Sequence, residues 1–171
     1  GVVTPGYARQ LLREALGAAP RAALDLTAPG RRVDELALLA GRLGDHLRDT
    51  ADLRRAAGDA GDCRAGRLEM ADVLDAYAER KQALGVVDYA DLISRAHALV
   101  AGHPAVAAAV RGRYRVVLLD EYQDTNPAQR ELLRTIFGGG FPVTAVGDPD
   151  QTIYEWRGAS LENFAAFDEH F

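Results

Sequence analysis

The order of hydrophobic and polar residues divides the 171-residue chain into two parts. In the first part, apolar residues recur at helical spacing in three stretches, separated by connecting segments of small, polar, glycine and proline residues. Thr4 and Pro5 form a helix start, because threonine caps a first turn and proline fits its first position. Residues 1–86 are therefore predicted to form a mainly α-helical subdomain. The predicted helices cover 5–17, 33–56 and 67–84, and the connectors cover 20–32 and 57–66.

The second part, residues 87–171, adds two short apolar runs, VVLL and VTAV, to a helical pattern. Runs of this length, bounded by polar residues, are typical of strands buried on both faces of a parallel sheet. Asp88 is a candidate helix cap, and Thr125 or Asn126 followed by Pro127 is another. The pattern predicts an α/β unit. Its predicted helices cover 89–101, 105–112 and 127–137, and its strands cover 115–120 and 142–146.

Polar side chains that can bind an ion or act in catalysis follow each predicted strand. Asp120 and Glu121 end the first apolar run, and Asp148 and Gln151 follow the second. The carboxyl ends of parallel strands share one edge of a sheet, so these four side chains are predicted to meet. Carboxylates there can hold a hard cation and polarise a water. An apolar run that ends in Asp-Glu is by itself a weak signal, since a solvated strand end has the same pattern.

Composition narrows the classes of partner. The net charge is −5, and residues 82–171 contain seven Lys and Arg against twelve Asp and Glu, so nucleic-acid contacts would rest on individual side chains. The single cysteine, Cys63, excludes an intramolecular disulfide and favours a cytoplasmic location. No membrane segment or signal peptide is predicted. With its only methionine at Met70, the chain is expected to be an excised piece of a longer protein.

Two segments carry a specific resemblance. DEYQDTN (120–126) closely resembles motif II, and VGDPDQTIYEWRGA (146–159) resembles motif III, of superfamily 1A DNA helicases of the UvrD/Rep type. Lys81 with VDYADLI (87–93) is similar to the family's segment leading back into the motor domain, with Tyr89 and Ala90 where Phe and Asp are usual. The resemblance implies a partial RecA-like parallel sheet of the P-loop NTPase type, residues 87–171, preceded by a helical 1B-like subdomain.

The resemblance also implies roles for individual residues. Asp120 would bind Mg²⁺ and ATP, Glu121 would be the catalytic carboxylate, and Gln151 would sense the γ-phosphate and take part in catalysis. An indole face stacks on any base, which suits Trp156 for a motor that must tolerate all sequences. The other implied residues are Gln123, Asp124 and Asp148, which would support the site, and Tyr154 and Arg157, which would couple it to DNA.

The function implied is that of a segment of an ATP-dependent 3′-to-5′ DNA helicase acting in DNA repair or recombination. Its cofactors would be ATP and Mg²⁺, and its partners single-stranded DNA, duplex junctions and the remainder of the helicase chain. No G-x-x-x-x-G-K-[ST] phosphate loop occurs in the 171 residues, so the isolated segment is expected to be inactive. The missing loop and the second motor domain would have to come from the rest of that chain.

Two alternatives stay open. One is a catalytically inert, helicase-derived module that binds DNA or a protein partner. The other is a nuclease that holds two metal ions with Asp120, Glu121, Asp124 and Asp148. The nuclease is disfavoured, because side chains alternate along a strand and would point Glu121 away from Asp120 if the strand continued that far.

Overall fold

The computed structural model describes residues 1–18, 22–58, 61–152 and 166–171, and the chain divides into two compact units. The first unit comprises Gly1–Gly44 and Arg48–Leu92, and the second comprises Asp45–Leu47 and Ile93–Phe171. The elements in chain order are α1 (Pro5–Gly17), α2 (Pro29–Asp45), α3 (Thr50–Ala57), α4 (Arg64–Ala83), α5 (Tyr89–Gly102), α6 (Pro104–Arg111), β1 (Val117–Leu119), α7 (Pro127–Phe137), β2 (Val143–Ala145) and α8 (Phe167–His170).

Helix α1 starts where the sequence predicts. The Thr4 side chain accepts a hydrogen bond from the Tyr7 backbone N–H at 3.3 Å, and Pro5 occupies the first turn. The apolar face of α1 enters the core of the first unit, where it packs with residues of α2 and α4. This burial is what makes a helix of ordinary length stable in a protein. The buried core residues are Leu11, Leu12, Ala15, Leu16, Leu24, Val33, Leu36, Val73, Leu74 and Tyr77.

The predicted single helix over 33–56 is wrong, because a turn between α2 and α3 divides it into two helices. Leu47 has a left-handed backbone (φ 51), and the Arg48 N–H bonds back to the Leu43 carbonyl at 2.7 Å, the pattern of a helix-ending Schellman turn. Asp49 then starts α3 by a capping box with Asp52. The apolar spacing continues through this break, so periodicity alone missed it.

The predicted connectors are also shorter than expected. Helix α2 begins at Pro29, four residues before its predicted start, since proline is well tolerated in a first helical turn. Helix α4 begins at Arg64, after a 3₁₀ turn at Gly61–Cys63 inside the predicted loop. Leu84, the last residue of the helix predicted over 67–84, lies beyond the end of α4 and is exposed.

A buried ion cluster in the first unit joins α4 to the first turn of α5. Lys81, only 5% exposed, donates to Asp88 Oδ2 at 2.7 Å and to Asp91 Oδ2 at 2.6 Å. The Tyr77 hydroxyl also donates to Asp88 Oδ2, at 2.9 Å. Burial raises the pKa of Asp88, but the hydrogen bonds from Lys81 and from the Asp91 backbone outweigh it and hold that pKa below its ordinary value. Asp88 and Asp91 also cap the start of α5, as predicted for Asp88.

In the second unit, β1 and β2 pair in parallel, with Val117 opposite Val143 and Leu119 opposite Ala145. The parallel pairing agrees with the prediction, although each strand is only three residues long. The expectation of strands buried on both faces is wrong for this two-stranded sheet, since Leu118 is 75% exposed. Leu118 points to the face opposite that of its neighbours, and no described element covers it.

The other face of the sheet packs on the core of the second unit. Val117 and Val143 contact a cluster centred on α6 and α7, in which Phe137 and Phe141 have ring centroids 5.3 Å apart. The α7 start agrees with the prediction: Asn126 and Gln129 form a capping box, and Pro127 follows. No helix in the described ranges combines the length and apolar content needed to cross a membrane. The buried members of the cluster are Val100, Ala107, Ile136 and Phe137.

Candidate functional site

The loops that follow β1 and β2 lie side by side and are joined at three places. The Val146 N–H donates to the Leu119 carbonyl at 2.8 Å, and the Tyr122 N–H donates to the Val146 carbonyl at 3.0 Å. The Asp148 N–H donates to Oε1 of the Gln123 side chain at 3.1 Å. Because the strands are parallel, both loops leave the same edge of the sheet. The structure therefore brings the two predicted groups of polar residues together.

Asp120 and Glu121 occupy the turn directly after β1. Strand pairing ends at Leu119, and Glu121 has a left-handed backbone (φ 52, ψ 40), which is uncommon for a residue with a side chain. Asp120 Oδ1 accepts a hydrogen bond from the Glu121 N–H at 3.0 Å. The predicted strand end at residue 120 is wrong, and strand alternation therefore does not set the direction of the Glu121 side chain. Both residues are exposed to solvent, so their carboxylates are accessible.

Gln123 is the buried member of this group, with 1% of its surface exposed. Its Nε2 donates to Glu121 Oε2 at 2.6 Å, while its Oε1 accepts from the Asp148 N–H. A carboxylate can only accept and a backbone N–H can only donate, so this pair of partners fixes the orientation of the amide. One buried side chain thus links the two loops.

The second loop forms a 3₁₀ turn at Pro149–Gln151. Asp148 starts this turn through Oδ1, which accepts from the Asp150 N–H at 3.0 Å. Its other oxygen, Oδ2, accepts from Gln151 Nε2 at 2.7 Å. Asp148 therefore serves as the cap that holds Gln151 in place, while the Gln151 residue itself stays exposed.

A pocket of about 450 Å³ lies next to this edge of the sheet. Three carboxylate residues, Asp120, Glu121 and Asp124, contribute to its lining together with Thr125. The rest of the lining is largely apolar, including Ile93, Leu118 and Leu132. Such a combination of apolar walls and a few polar groups is typical of small-molecule sites.

Two supporting contacts were not predicted. Asn126, besides capping α7, donates through Nδ2 to Asp45 Oδ1 at 2.7 Å, a contact between residues far apart in sequence. Tyr122 is buried with its ring edge-on to Phe167, at 5.4 Å between centroids, and burial raises the pKa of its hydroxyl. No local sequence signal marks the first contact, because Asn126 and Asp45 are 81 positions apart in the chain.

Not every predicted site residue can be located. Tyr154, Trp156 and Arg157, predicted to contact DNA, lie outside the described residues. Within the described ranges, no three His, Cys, Asp or Glu side chains form a group suited to hold a metal ion. The four-carboxylate arrangement of the nuclease alternative therefore has no geometric support there.

In open α/β sheets, ligands bind beyond the carboxyl ends of the parallel strands, which is where this chain has acidic residues beside a pocket. Sequence comparison adds the family. Residues 33–171 match the family described as UvrD/REP helicase N-terminal domain, and the chain belongs to that family.

Individual relatives agree with this assignment. The chain is 43% identical over 95 residues to DNA helicase II of Escherichia coli, a match that covers 56% of the chain and 13% of the relative. It is 40% identical over 109 residues to the ATP-dependent DNA helicase UvrD1 of Mycobacterium tuberculosis, covering 60% of the chain and 14% of the relative. It is 38% identical over 95 residues to the ATP-dependent DNA helicase Rep of E. coli, covering 56% and 14%. The chain thus spans about one seventh of the length of these relatives.

Proposed function

We propose that this chain is a segment of an ATP-dependent 3′-to-5′ DNA helicase that couples Mg-ATP hydrolysis to movement on single-stranded DNA in repair or recombination. The observation that carries the proposal is the junction of the two strand-end loops through Gln123, which places Glu121 and the Gln151 turn at one sheet edge. The family assignment and the names of the relatives support it. A cytoplasmic location is part of the proposal.

The residues at this edge fit a nucleotide and its metal ion. Asp120 is an exposed carboxylate on a turn anchored by a strand, the type of ligand that Mg²⁺ prefers. Bound Mg²⁺ neutralises charge on terminal phosphates. Glu121 would orient or deprotonate the attacking water, and Gln151 would contact the γ-phosphate. Gln123, Asp124 and Asp148 would support these groups.

The DNA-facing part of the proposal rests on the residues that follow the Gln151 turn. Trp156 would stack on bases, a contact that contributes about 1–3 kcal/mol per base without sequence preference. Tyr154 and Arg157 would link that contact to the nucleotide site. Single-stranded DNA and duplex junctions would be the nucleic-acid partners.

The remainder of the helicase chain is the further proposed partner. Residues 87–171 would be the second part of the RecA-like 1A motor domain, and residues 1–86 the helical 1B-like subdomain. Three apolar side chains of the sheet region, Val116, Leu118 and Val146, are more than half exposed. A parallel sheet is normally covered on both faces, so this apolar surface suits packing against further elements of the motor domain.

Glu121→Gln in the complete helicase tests the proposal. The change keeps the shape and removes the charge, so Mg²⁺ and ATP should still bind while hydrolysis and unwinding collapse. Glu131→Gln is a matched control, since Glu131 pairs with Arg134 on α7 and does not line the pocket beside Glu121. Steady-state turnover of Glu121→Gln within about threefold of wild type, under ~1 kcal/mol of barrier, would refute the catalytic role of Glu121. A complete wild-type protein that hydrolyses no ATP would instead favour an inert binding module.

Two further measurements separate the parts of the proposal. The isolated 171-residue chain should show no ATPase activity, because it lacks a phosphate loop and catalysis of phosphoryl transfer depends on positioning and charge neutralisation. In the complete helicase, a Trp156→Ala variant should bind single-stranded DNA more weakly and hydrolyse ATP without movement. If that variant instead melts far below wild type and binds DNA normally, Trp156 is a core residue.

A further inference from the structure

The side chain of Gln123 lies between two groups that have different roles in the proposed reaction, the Glu121 carboxylate and the loop that carries Gln151. On one side it donates to the carboxylate of Glu121 at 2.6 Å, and on the other it accepts from the backbone of Asp148 at 3.1 Å. Asp148 in turn holds Gln151 through Oδ2 at 2.7 Å. Hydrogen bonds of Gln123 and of Asp148 therefore link the proposed catalytic carboxylate to the proposed γ-phosphate contact, with the Asp148 residue itself as the connection between them.

Gln123, at the centre of this linkage, is held in place by burial and by its two hydrogen bonds. Gln123 is nearly fully buried, whereas Glu121 and Gln151 at the two ends are exposed. Buried polar groups are costly unless hydrogen-bonded, so each of the two bonds of Gln123 is strongly favoured over an unpaired amide. The left-handed backbone of Glu121 brings its side chain back toward Gln123, two residues along the chain. Uncommon backbone conformations of this kind persist where surrounding contacts determine them.

From these contacts we infer that Gln123 is a positioning residue, which fixes the Glu121 carboxylate relative to the Asp148–Gln151 turn so that a shift of that turn moves the carboxylate. The inference rests on the proposed function, because it assigns Gln123 a role through Glu121. Gln123 does not need to contact the nucleotide. It sets the direction of the group that acts on the water, and misplacement of such a group by about 1 Å can cost about a hundredfold in rate.

Two substitutions in the complete helicase separate the two bonds. Gln123→Glu keeps an acceptor for the Asp148 N–H but removes the donor to Glu121 and opposes two carboxylates. Gln123→Met has similar length and removes both bonds. Both variants should lower kcat for DNA-stimulated ATP hydrolysis by at least about tenfold, with KM for ATP changed less than about threefold, since only a group acting in the transition state is misplaced.

A double-mutant cycle with Glu121→Asp shows whether Gln123 acts through Glu121. The shorter Asp side chain cannot reach the amide of Gln123 but retains a charge, so residual hydrolysis stays measurable. In that background, Gln123→Met should lower kcat by less than about threefold, because the interaction is already lost. A merely structural role of Gln123 would instead give the same factor in both backgrounds, and that result overturns the inference.

Gln129→Met is the matched control. It also removes the hydrogen bond of a glutamine amide, but one on the exposed first turn of α7, where Gln129 accepts from the Asn126 N–H at 3.1 Å rather than donating to Glu121. It should lower the melting temperature and leave kcat within about threefold of wild type. Normal kcat in folded Gln123→Glu and Gln123→Met overturns the inference while leaving the proposed function intact. Wild-type turnover by Glu121→Gln, in contrast, removes the catalytic role of Glu121 on which the inference rests. A complete wild-type protein without DNA-stimulated ATP hydrolysis would refute the proposed function itself, so the failures are distinguishable.

Discussion

The two units of the chain differ in how completely they bury their own groups. Among the residues that the structure describes, the first unit has a core cluster of ten buried residues and holds Lys81 inside an ion cluster. The second has a smaller buried cluster of four residues and leaves one face of its sheet exposed. At one edge of this sheet, Asp120, Glu121 and Gln151 are exposed to solvent. Within the described ranges, the first unit thus buries a cluster of apolar residues and its lysine, whereas the second presents an apolar strand residue and several carboxylates to solvent.

The largest expected effect comes from the ion cluster of the first unit. Lys81→Met leaves Asp88 and Asp91 buried without their cation, which should cost about 3–5 kcal/mol of the free energy of unfolding. Arg54→Met is the matched control, because Arg54 also bridges two carboxylates, Asp72 and Asp75, but at the surface. Its cost should stay below about 1 kcal/mol. Urea denaturation followed by far-UV circular dichroism measures both, and equal losses would show that burial does not distinguish the clusters.

A pair of leucines tests the contrast between core and sheet. Leu36 is fully buried in the first unit, so Leu36→Ala should cost about 2–5 kcal/mol through lost contacts and a cavity. Leu118→Ala should change the free energy of unfolding by no more than about 0.5 kcal/mol, since that side chain already faces solvent. The same denaturation assay applies. A large loss for Leu118→Ala would mean that this face of the sheet is covered in solution.

The helix caps provide a smaller contrast. Asn126 and Thr4 each precede a proline and cap a helix, but Asn126 is buried and also donates to Asp45. Asn126→Ala should therefore cost about 2–4 kcal/mol, the sum of a lost cap and a lost buried hydrogen bond. Thr4→Ala should cost about 1 kcal/mol. Thermal melts of both variants check the order, and a larger loss for Thr4→Ala would contradict it.

Acid should weaken the first unit through Asp88. Its pKa in the folded state lies below the ordinary value of 3.8, so its contribution to stability is complete above about that pH. That contribution is lost as the pH falls through the lower folded-state value. Asp88→Asn should show a shallower decline of unfolding free energy below pH 3.8 than wild type. Parallel declines for the two proteins would mean that other carboxylates control acid unfolding.

Much of the fold followed from local signals. Thr4-Pro5 and Asn126-Pro127 mark helix starts that the structure confirms, because capping depends on a few neighbouring atoms. The parallel pairing of the two apolar runs was also predicted correctly. The break between α2 and α3 was missed, since a left-handed Leu47 is not a position that sequence marks as it would a glycine. Apolar spacing continues through the break and hides it.

The family resemblance and the polar residues at one edge of the sheet could both be predicted from the sequence. The reason is that the motif residues follow directly after the two apolar runs, so their positions relative to the strand ends are fixed locally. Only the tertiary structure decided that Gln123 is the buried link between Glu121 and the Asp148 backbone, and that Lys81 lies between Asp88 and Asp91. Both arrangements depend on which donor meets which acceptor once the chain is folded and water is excluded. The contact between Glu121 and Gln123 also depends on the left-handed backbone of Glu121.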